Sequence, residues 1–274
     1  MNLILLKPEQ LQTTHYSKSD QADYDSLAVS QSGSTCHFKL DERQSTHCIE
    51  VLNIKEGDRV RVGILNKNMG DALCSFIDKE NQITLTVNQN ELNEPPPPAT
   101  NIQLYLALPR PKMLRRIFRT IAECGIKKIT LINSTKVEKS YWQTPSLNIE
   151  KIQQYFLEGL EQAKDTLMPS ITIENRFRPF VEDKLSQKKF DRHNNAWVAH
   201  PYKAKHNLAD VRQSLKSLTK NGQNLHLMVG PEGGFTAFEI EFLNKQGIQS
   251  FSTGPRIFRS ETFVSWVLGA LESA

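Results

Sequence analysis

The sequence predicts an α/β protein in two parts, a small N-terminal β-barrel and a larger domain with a mostly parallel sheet, and three observations carry that prediction. Four consecutive prolines, Pro95 to Pro98, interrupt the chain once. Such a run favours a stiff extended connector and continues neither a helix nor a central strand. Before it, "GDRVRVGILN", "GDALCSFID" and "NQITLTVNQ" are short β-rich runs separated by turn residues, the pattern of a small antiparallel barrel or sheet. After it, "IQLYLAL", "KITLI", "AWVAH", "LHLMVG" and "QSFSTG" alternate with helical patterns, as expected of a parallel sheet with helices on its faces. The expected domains are 1–94, a proline-rich linker at 95–100, and 101–274.

The elements follow in chain order. "MNLILLKPEQL" has a short apolar patch with no basic leader before it and no small-residue cleavage site after it, so it reads as a first strand and not as a signal peptide. The polar stretch from Ser17 to Ser34 reads as a surface loop. Lys55, Arg59 and Arg61 lie on and before the first β-rich run, cations that could contact phosphates of a nucleic acid without reading sequence. Past the prolines, "RPKMLRRIFR" puts Lys112, Arg115, Arg116 and Arg119 at i, i+3, i+4 and i+7, one face of a helix. Leu114, Ile117, Phe118 and Ile121 fill the opposite stripe and predict a core contact. That basic face could hold RNA or could simply be solvated.

Composition narrows the function classes. The chain has 274 residues, 38% hydrophobic and 23% charged, with a negative mean hydropathy. No apolar run approaches the roughly 18 residues of a membrane span. Cys36, Cys48, Cys74 and Cys124 are scattered without a CxxC pair, so neither a disulfide scaffold nor a metal site is expected, and a reducing cytoplasm fits best. The net charge of +4 permits a nucleic-acid partner without requiring one.

The chemistry concentrates in "LMVGPEGGFTAFEIEFLNKQG" followed by "SFSTGPRIFRSETF". In the first, a strand pattern stops at Gly230 and a helix begins near Thr236, where Thr236 and Glu239 form a T-x-x-E capping box. Glycines between strand and helix let a ligand approach main-chain N–H and C=O groups closely. In open α/β sheets ligands bind at the carboxyl ends of the strands, and the second elbow, after the next strand, would sit beside the first. The spacing is neither G-x-G-x-x-G nor a GK[ST] loop, which disfavours a nucleotide phosphate.

Both motifs, in this order, resemble the paired cofactor loops of the RsmE family, 16S ribosomal RNA uridine-N3 methyltransferases of the SPOUT superfamily. "LPRPKMLRRIFRTIAECGIKKITLI" and "EGLEQA" at Glu158 to Ala163 are similar to further segments of that family. The resemblance implies a C-terminal SPOUT-type trefoil knot, an N-terminal PUA- or OB-like barrel, S-adenosylmethionine as methyl donor, a cytoplasmic homodimer with sites at the subunit interface, and 16S ribosomal RNA or the assembled small subunit as substrate. No metal and no membrane partner are implied. By the same resemblance Val229, Gly230, Pro231, Glu232, Gly233 and Gly234 form one cofactor loop, and Thr253, Gly254, Pro255, Arg256, Ile257 and Phe258 form another, with Thr262 just beyond. His200 and Pro201, ending "AWVAHP", occupy the place of a third loop facing the cofactor.

Methylating uracil N3 requires loss of its proton or stabilisation of the charge that develops, hence a base or an electrostatic clamp. Arg256 and Arg259 could reach a uracil carbonyl or an RNA phosphate, and Glu261 could orient an arginine or accept the proton. Glu50, Asn53, Asp165 and Phe263 depart from the family pattern and mark a divergent branch. Two other readings fit the same residues: a SPOUT-fold RNA-binding protein without methylation, and a methyltransferase with a different RNA or protein target.

Overall fold

The computed structural model describes residues 2–12, 35–188, 190, 195–202 and 204–272. The expected loop at 17–34 lies outside them. The chain divides into two compact units: Met1–Pro98 with Leu160–Met168, and Ala99–Gly159 with Pro169–Ala274.

The first unit is built on β1 (Ile4–Leu6), β2 (Leu11–Gln12), β3 (Thr35–Lys39), β4 (Arg59–Ile64), β5 (Met69–Ile77) and β6 (Ile83–Asn88). Among the described residues they form one sheet in the order β1-β4-β5-β6-β3-β2, with β1 and β2 as its edges. It is a curled, half-barrel-like sheet, which fits the small barrel or sheet expected from the β-rich runs. The β1–β4 pair is parallel, and the other pairs are antiparallel. Leu6, Phe38, Val62, Cys74, Leu85 and Val87 alternate inward from their strands and are fully buried.

Sequence patterning missed α1 (Glu42–Glu50), because its buried face carries Gln44, Ser45 and Cys48 in place of an apolar stripe. Gln44 is admitted to the core by its partners: its amide donates to Leu5 O at 2.7 Å and its Oε1 accepts from Gln10 Nε2 at 2.6 Å. Asp41 caps the helix, accepting from Gln44 N at 2.8 Å. Burial pushes the Cys48 thiol up to about 12, so this cysteine behaves as a small hydrophobe and not as a nucleophile.

The second unit holds β7 (Ile102–Ala107), β8 (Lys128–Ile132), β9 (Ser170–Glu174), β10 (Ala196–Ala199), β11 (His206–Asn207), β12 (Leu225–Val229) and β13 (Gln249–Ser252). All pairs are parallel, in the order β11-β13-β10-β12-β7-β8-β9. Five of these strands coincide with the predicted runs. β9 escaped notice because "SITIE" is largely solvent-facing and lacks an apolar run, and β11 is only two residues long. The longer α-helices among the described residues are α2 (Pro111–Glu123), α3 (Ile149–Ala163), α4 (Leu208–Lys220), α5 (Ala237–Lys245) and α6 (Ser260–Glu272).

α2 begins with Pro111, whose missing N–H is no loss in a first turn. It buries Leu114, Ile117, Phe118 and Ile121 to 1% exposure or less, the predicted stripe. "EGLEQA" sits on α3: Glu158 accepts from Arg115 of α2 at 2.9 Å, and Glu161, 2% exposed, is clamped bidentately by Arg43 of α1, both bonds 2.8 Å. The last residues of α3 therefore belong with the first unit, which also holds Thr166, whose hydroxyl donates to Lys67 O at 2.5 Å. Asp165 is 3% exposed there and accepts from Leu167 N at 2.9 Å, inside a turn. Asn53 adopts a left-handed φ of 52°, a conformation asparagine tolerates better than arginine.

Candidate functional site

The strand order makes β13, β10 and β12 neighbours, so the loops leaving their carboxyl ends share one edge of the parallel sheet. After β12 the chain runs through Gly230 to Phe235 and enters α5 at a capping box: Thr236 Oγ1 accepts from Glu239 N at 3.2 Å. The Glu239 carboxylate accepts from Thr236 N at 2.8 Å and Thr236 Oγ1 at 3.0 Å, as predicted. The structure adds a second partner, Thr135, which follows β8 and donates from its N–H at 2.7 Å and its hydroxyl at 3.1 Å. Those four bonds allow a carboxylate only 2% exposed to stay in the interior.

The second elbow follows β13. Gly254 has φ of 111°, which side-chain-bearing residues rarely adopt, and its N–H is held by Ser252 Oγ at 3.2 Å. The third loop begins at His200, whose N–H donates to Phe251 O of β13 at 2.9 Å. Together the three loops wall a cavity of about 1000 Å³.

The predicted residues distribute unevenly. His200, Pro201, Val229 and the stretch Gly230, Pro231, Glu232, Gly233 and Gly234 all line the cavity, as do Thr253, Arg256, Ile257 and Phe258. Gly254, Pro255 and Arg259 do not, and Glu261 and Thr262 line a separate shallow groove with Arg116, Ser265 and Trp266. Arg259 and Glu261 are thus not brought onto the cavity wall with Arg256.

Two cavity features lay beyond the sequence patterns. Lys136, four residues past β8 in "STKVEKS", lies across the first loop: its Nζ donates to Gly233 O at 2.6 Å. A Cβ built on Gly233 would sit 2.9 Å from Lys136 Cδ, so the glycine is what admits the lysine stem. The only signal available was that Lys136 follows a strand's carboxyl end. The other is the anchoring of Glu232 on the cavity wall, whose Oε1 accepts from the backbone N–H of Arg110 at 3.0 Å.

His200 is half-buried, and its Nδ1 is enclosed with no hydrogen-bond partner among the described residues. Burial, and secondarily the Lys136 charge, hold its pKa below the ordinary histidine value. The ring is therefore neutral at neutral pH. The loop would otherwise carry a second cation beside Lys136.

Of the predicted RNA contacts, Arg115 and Arg119 share Glu158, at 2.9 and 3.8 Å. Lys112 and Arg116 make no ion pair among the described residues. In the first unit Arg59 pairs with Glu91, and Arg61 pairs with Glu94 and with Asp71 at 3.6 Å. Lys55 is exposed, its backbone N–H bound to Asp58 at 2.8 Å. Among the described residues no cluster of three His, Cys, Asp or Glu could hold a metal, and no helix is long and apolar enough to cross a membrane.

A family profile described as the RNA methyltransferase domain matches residues 95–272. The chain is 28% identical over 216 residues to the ribosomal RNA small subunit methyltransferase E of Treponema pallidum, covering 79% of this chain and 77% of that one. It is 24% identical over 226 residues to the ribosomal RNA small subunit methyltransferase E 1 of Borreliella burgdorferi, covering 82% and 87%. A solved ribosomal RNA small subunit methyltransferase E from Neisseria gonorrhoeae, bound to S-adenosyl methionine, superposes with a TM-score of 0.66 at 15% identity, covering 99% of this chain and 97% of that one. A Legionella pneumophila protein solved with its bound cofactor SAM gives 0.65 at 18% identity, covering 100% and 98%. At such identities the solved structures speak for the fold.

Proposed function

The chain belongs to the RNA methyltransferase domain family, and from that premise we propose that it transfers a methyl group from S-adenosylmethionine to N3 of a uridine in 16S ribosomal RNA. The observation that carries this reading is the convergence of three strand-end loops, two of them glycine-rich, on one cavity of about 1000 Å³. Its size lies at the upper end of the range for small-molecule sites, roughly 300–1000 Å³. The relatives' names support ribosomal RNA of the small subunit as substrate, and the ligands of the two solved structures support the donor. N3 of uridine follows from the RsmE resemblance of the two loops.

The residues present fit the donor. The turn at Gly233 and Gly234 and the turn at Thr253 bring main chain to the cavity wall, where groups not bonded within the protein could hold an adenosine, between apolar walls from Val229, Ile248 and Phe251. S-adenosylmethionine, when bound, supplies an electrophilic methyl group on a sulfonium. The chain's own contribution is to hold the uracil N3 in line with it and to manage charge. Arg256, exposed on the cavity wall, presents fixed donors to a uracil carbonyl and favours the anion formed as N3 loses its proton. A new N–C bond forms as the S–C bond breaks, and the N3 proton leaves to water or to a carboxylate.

Arg259, Glu261 and Thr262 enter the same reading through a homodimer. Trp266, 38% exposed, lines the groove that holds Glu261 and Arg116, and Ile257, 68% exposed, lies on the cavity wall. A second copy covering that surface would bury both apolar side chains and bring these polar groups toward a shared site. The trefoil knot belongs to the reading as well: β13 is inserted between β10 and β11, although only residues 200–205 join those two strands. In the first unit, the PUA- or OB-like assignment and phosphate contacts by Lys55, Arg59 and Arg61 remain part of this proposal, as do Lys112, Arg115, Arg116 and Arg119 and a cytoplasmic location.

The test is nucleoside mass spectrometry on small-subunit ribosomal RNA lacking the modification, before and after incubation with the protein and S-adenosylmethionine. Gain of 3-methyluridine is expected. Methylation of another nucleoside would retain the donor and reject the target.

A further inference from the structure

We propose that Lys136 is a carboxylate-binding residue of the cavity, its ammonium receiving the α-carboxylate of S-adenosylmethionine across the Gly233 turn. The inference rests on the reading of the cavity as an S-adenosylmethionine site. Its ground is geometric. The lysine stem lies along the loop, with Cδ, Cβ and Cγ at 2.9, 3.5 and 3.7 Å from the position of a Cβ on Gly233, and the ammonium is fixed by the Gly233 carbonyl at 2.6 Å. That bond uses one of the three donors an ammonium carries.

Among the described residues no carboxylate pairs with this charge, and the two acids of the cavity wall are engaged elsewhere. Glu232 accepts from Arg110 N at 3.0 Å, and Glu241 pairs with Lys245 at 2.9 Å. The field of the lysine nevertheless reaches into the cavity, since it contributes to holding His200 neutral.

The proposed donor carries two positive groups, a sulfonium and an α-ammonium, and one negative group. A lysine on the cavity wall repels the first two and attracts the third. Only placement of the carboxylate at Lys136 makes the observed cation favourable to binding. It would also order the amino-acid end of the ligand while the glycine turns hold the adenosine.

The experiment is calorimetric titration of the wild-type protein and of Lys136→Met with S-adenosylmethionine, S-adenosylhomocysteine and 5′-methylthioadenosine, which lacks the amino-acid group. Loss of one charge-assisted bond should weaken the first two by about tenfold and leave the third within about twofold. Lys136→Arg should restore part of the affinity. Because Lys136 is exposed, the fold should persist, and a thermal melt checks that. Equal weakening of all three ligands, or of none, overturns the proposal. Unchanged nucleoside affinities with weaker RNA binding would overturn it too, assigning Lys136 to a phosphate. If the wild-type protein binds none of the three ligands, the cofactor reading itself fails, a result seen before any variant is made.

Discussion

The Glu239 carboxylate ties the start of its own helix, through Thr236, to the backbone N–H of Thr135, 104 residues away in the chain and 2.7 Å away in space. One buried acid thus fixes both the exit of the first glycine loop and the segment that delivers Lys136. Glu239→Ala should leave the N–H of Thr135 and a helix cap unsatisfied, at a cost of about 3 kcal/mol. Urea unfolding followed by fluorescence of the buried Trp197 measures it, and a change under about 1 kcal/mol would remove Glu239 from this role.

Gly233→Val brings a branched side chain against Lys136, whose Cδ would lie 2.9 Å from the new Cβ. Lysine can swing away, so stability should change little. Cofactor affinity should fall at least about tenfold, because the loop surface and the lysine are displaced together. Calorimetry giving an unchanged affinity would take this loop out of the site.

Arg256→Ala should lower kcat by about a hundredfold with cofactor affinity nearly unchanged, as expected for a group that stabilises developing charge. Arg259→Ala should do the same only if a second copy contributes to the site, since Arg259 does not line the cavity of its own chain. Single-turnover methylation alongside cofactor titration separates the two effects.

His200 should remain neutral at pH values where an ordinary histidine is half protonated, because burial first and Lys136 second disfavour its cation. The folded-state pKa lies below the unfolded one, so the unfolded chain takes up its proton first. This residue's contribution to stability is complete above the unfolded value and is lost as pH falls from there to the folded value. An NMR titration of the ring protons follows it directly, and Lys136→Met should move the midpoint upward.

Arg43→Met should destabilise the first unit by about 2 kcal/mol, since it strands the Glu161 carboxylate at 2% exposure, with some relief because Arg43 is itself 40% exposed. The double variant Arg43→Met, Glu161→Met should recover most of that loss. Chemical denaturation of the wild type, the two single variants and the double gives the coupling.

The fold was legible where hydrophobic periodicity was strong. The strands that became β7, β8, β10, β12 and β13 announce themselves as apolar runs, and α2 by its four-residue stripe. Helix α1 could not be seen because its buried residues are Gln44, Ser45 and Cys48, which hydrogen bonding and not hydrophobicity brings inside. The site was half legible for a similar reason. Glycine loops advertise themselves by composition, whereas Lys136 and Thr135 become site residues only through contacts with Gly233 and Glu239 that span about a hundred positions.

The return of Leu160–Met168 to the first unit makes that unit discontinuous in sequence. The chain first passes from one unit to the other at Pro98 and Ala99, yet a fragment ending at Pro98 would lack the carboxylate that neutralises Arg43 and the threonine that seats against Lys67. Recombination between homologues at the prolines would therefore separate Arg43 from Glu161 and Lys67 from Thr166, so a grafted N-terminal unit would need residues 160–168 of its own lineage to go with it.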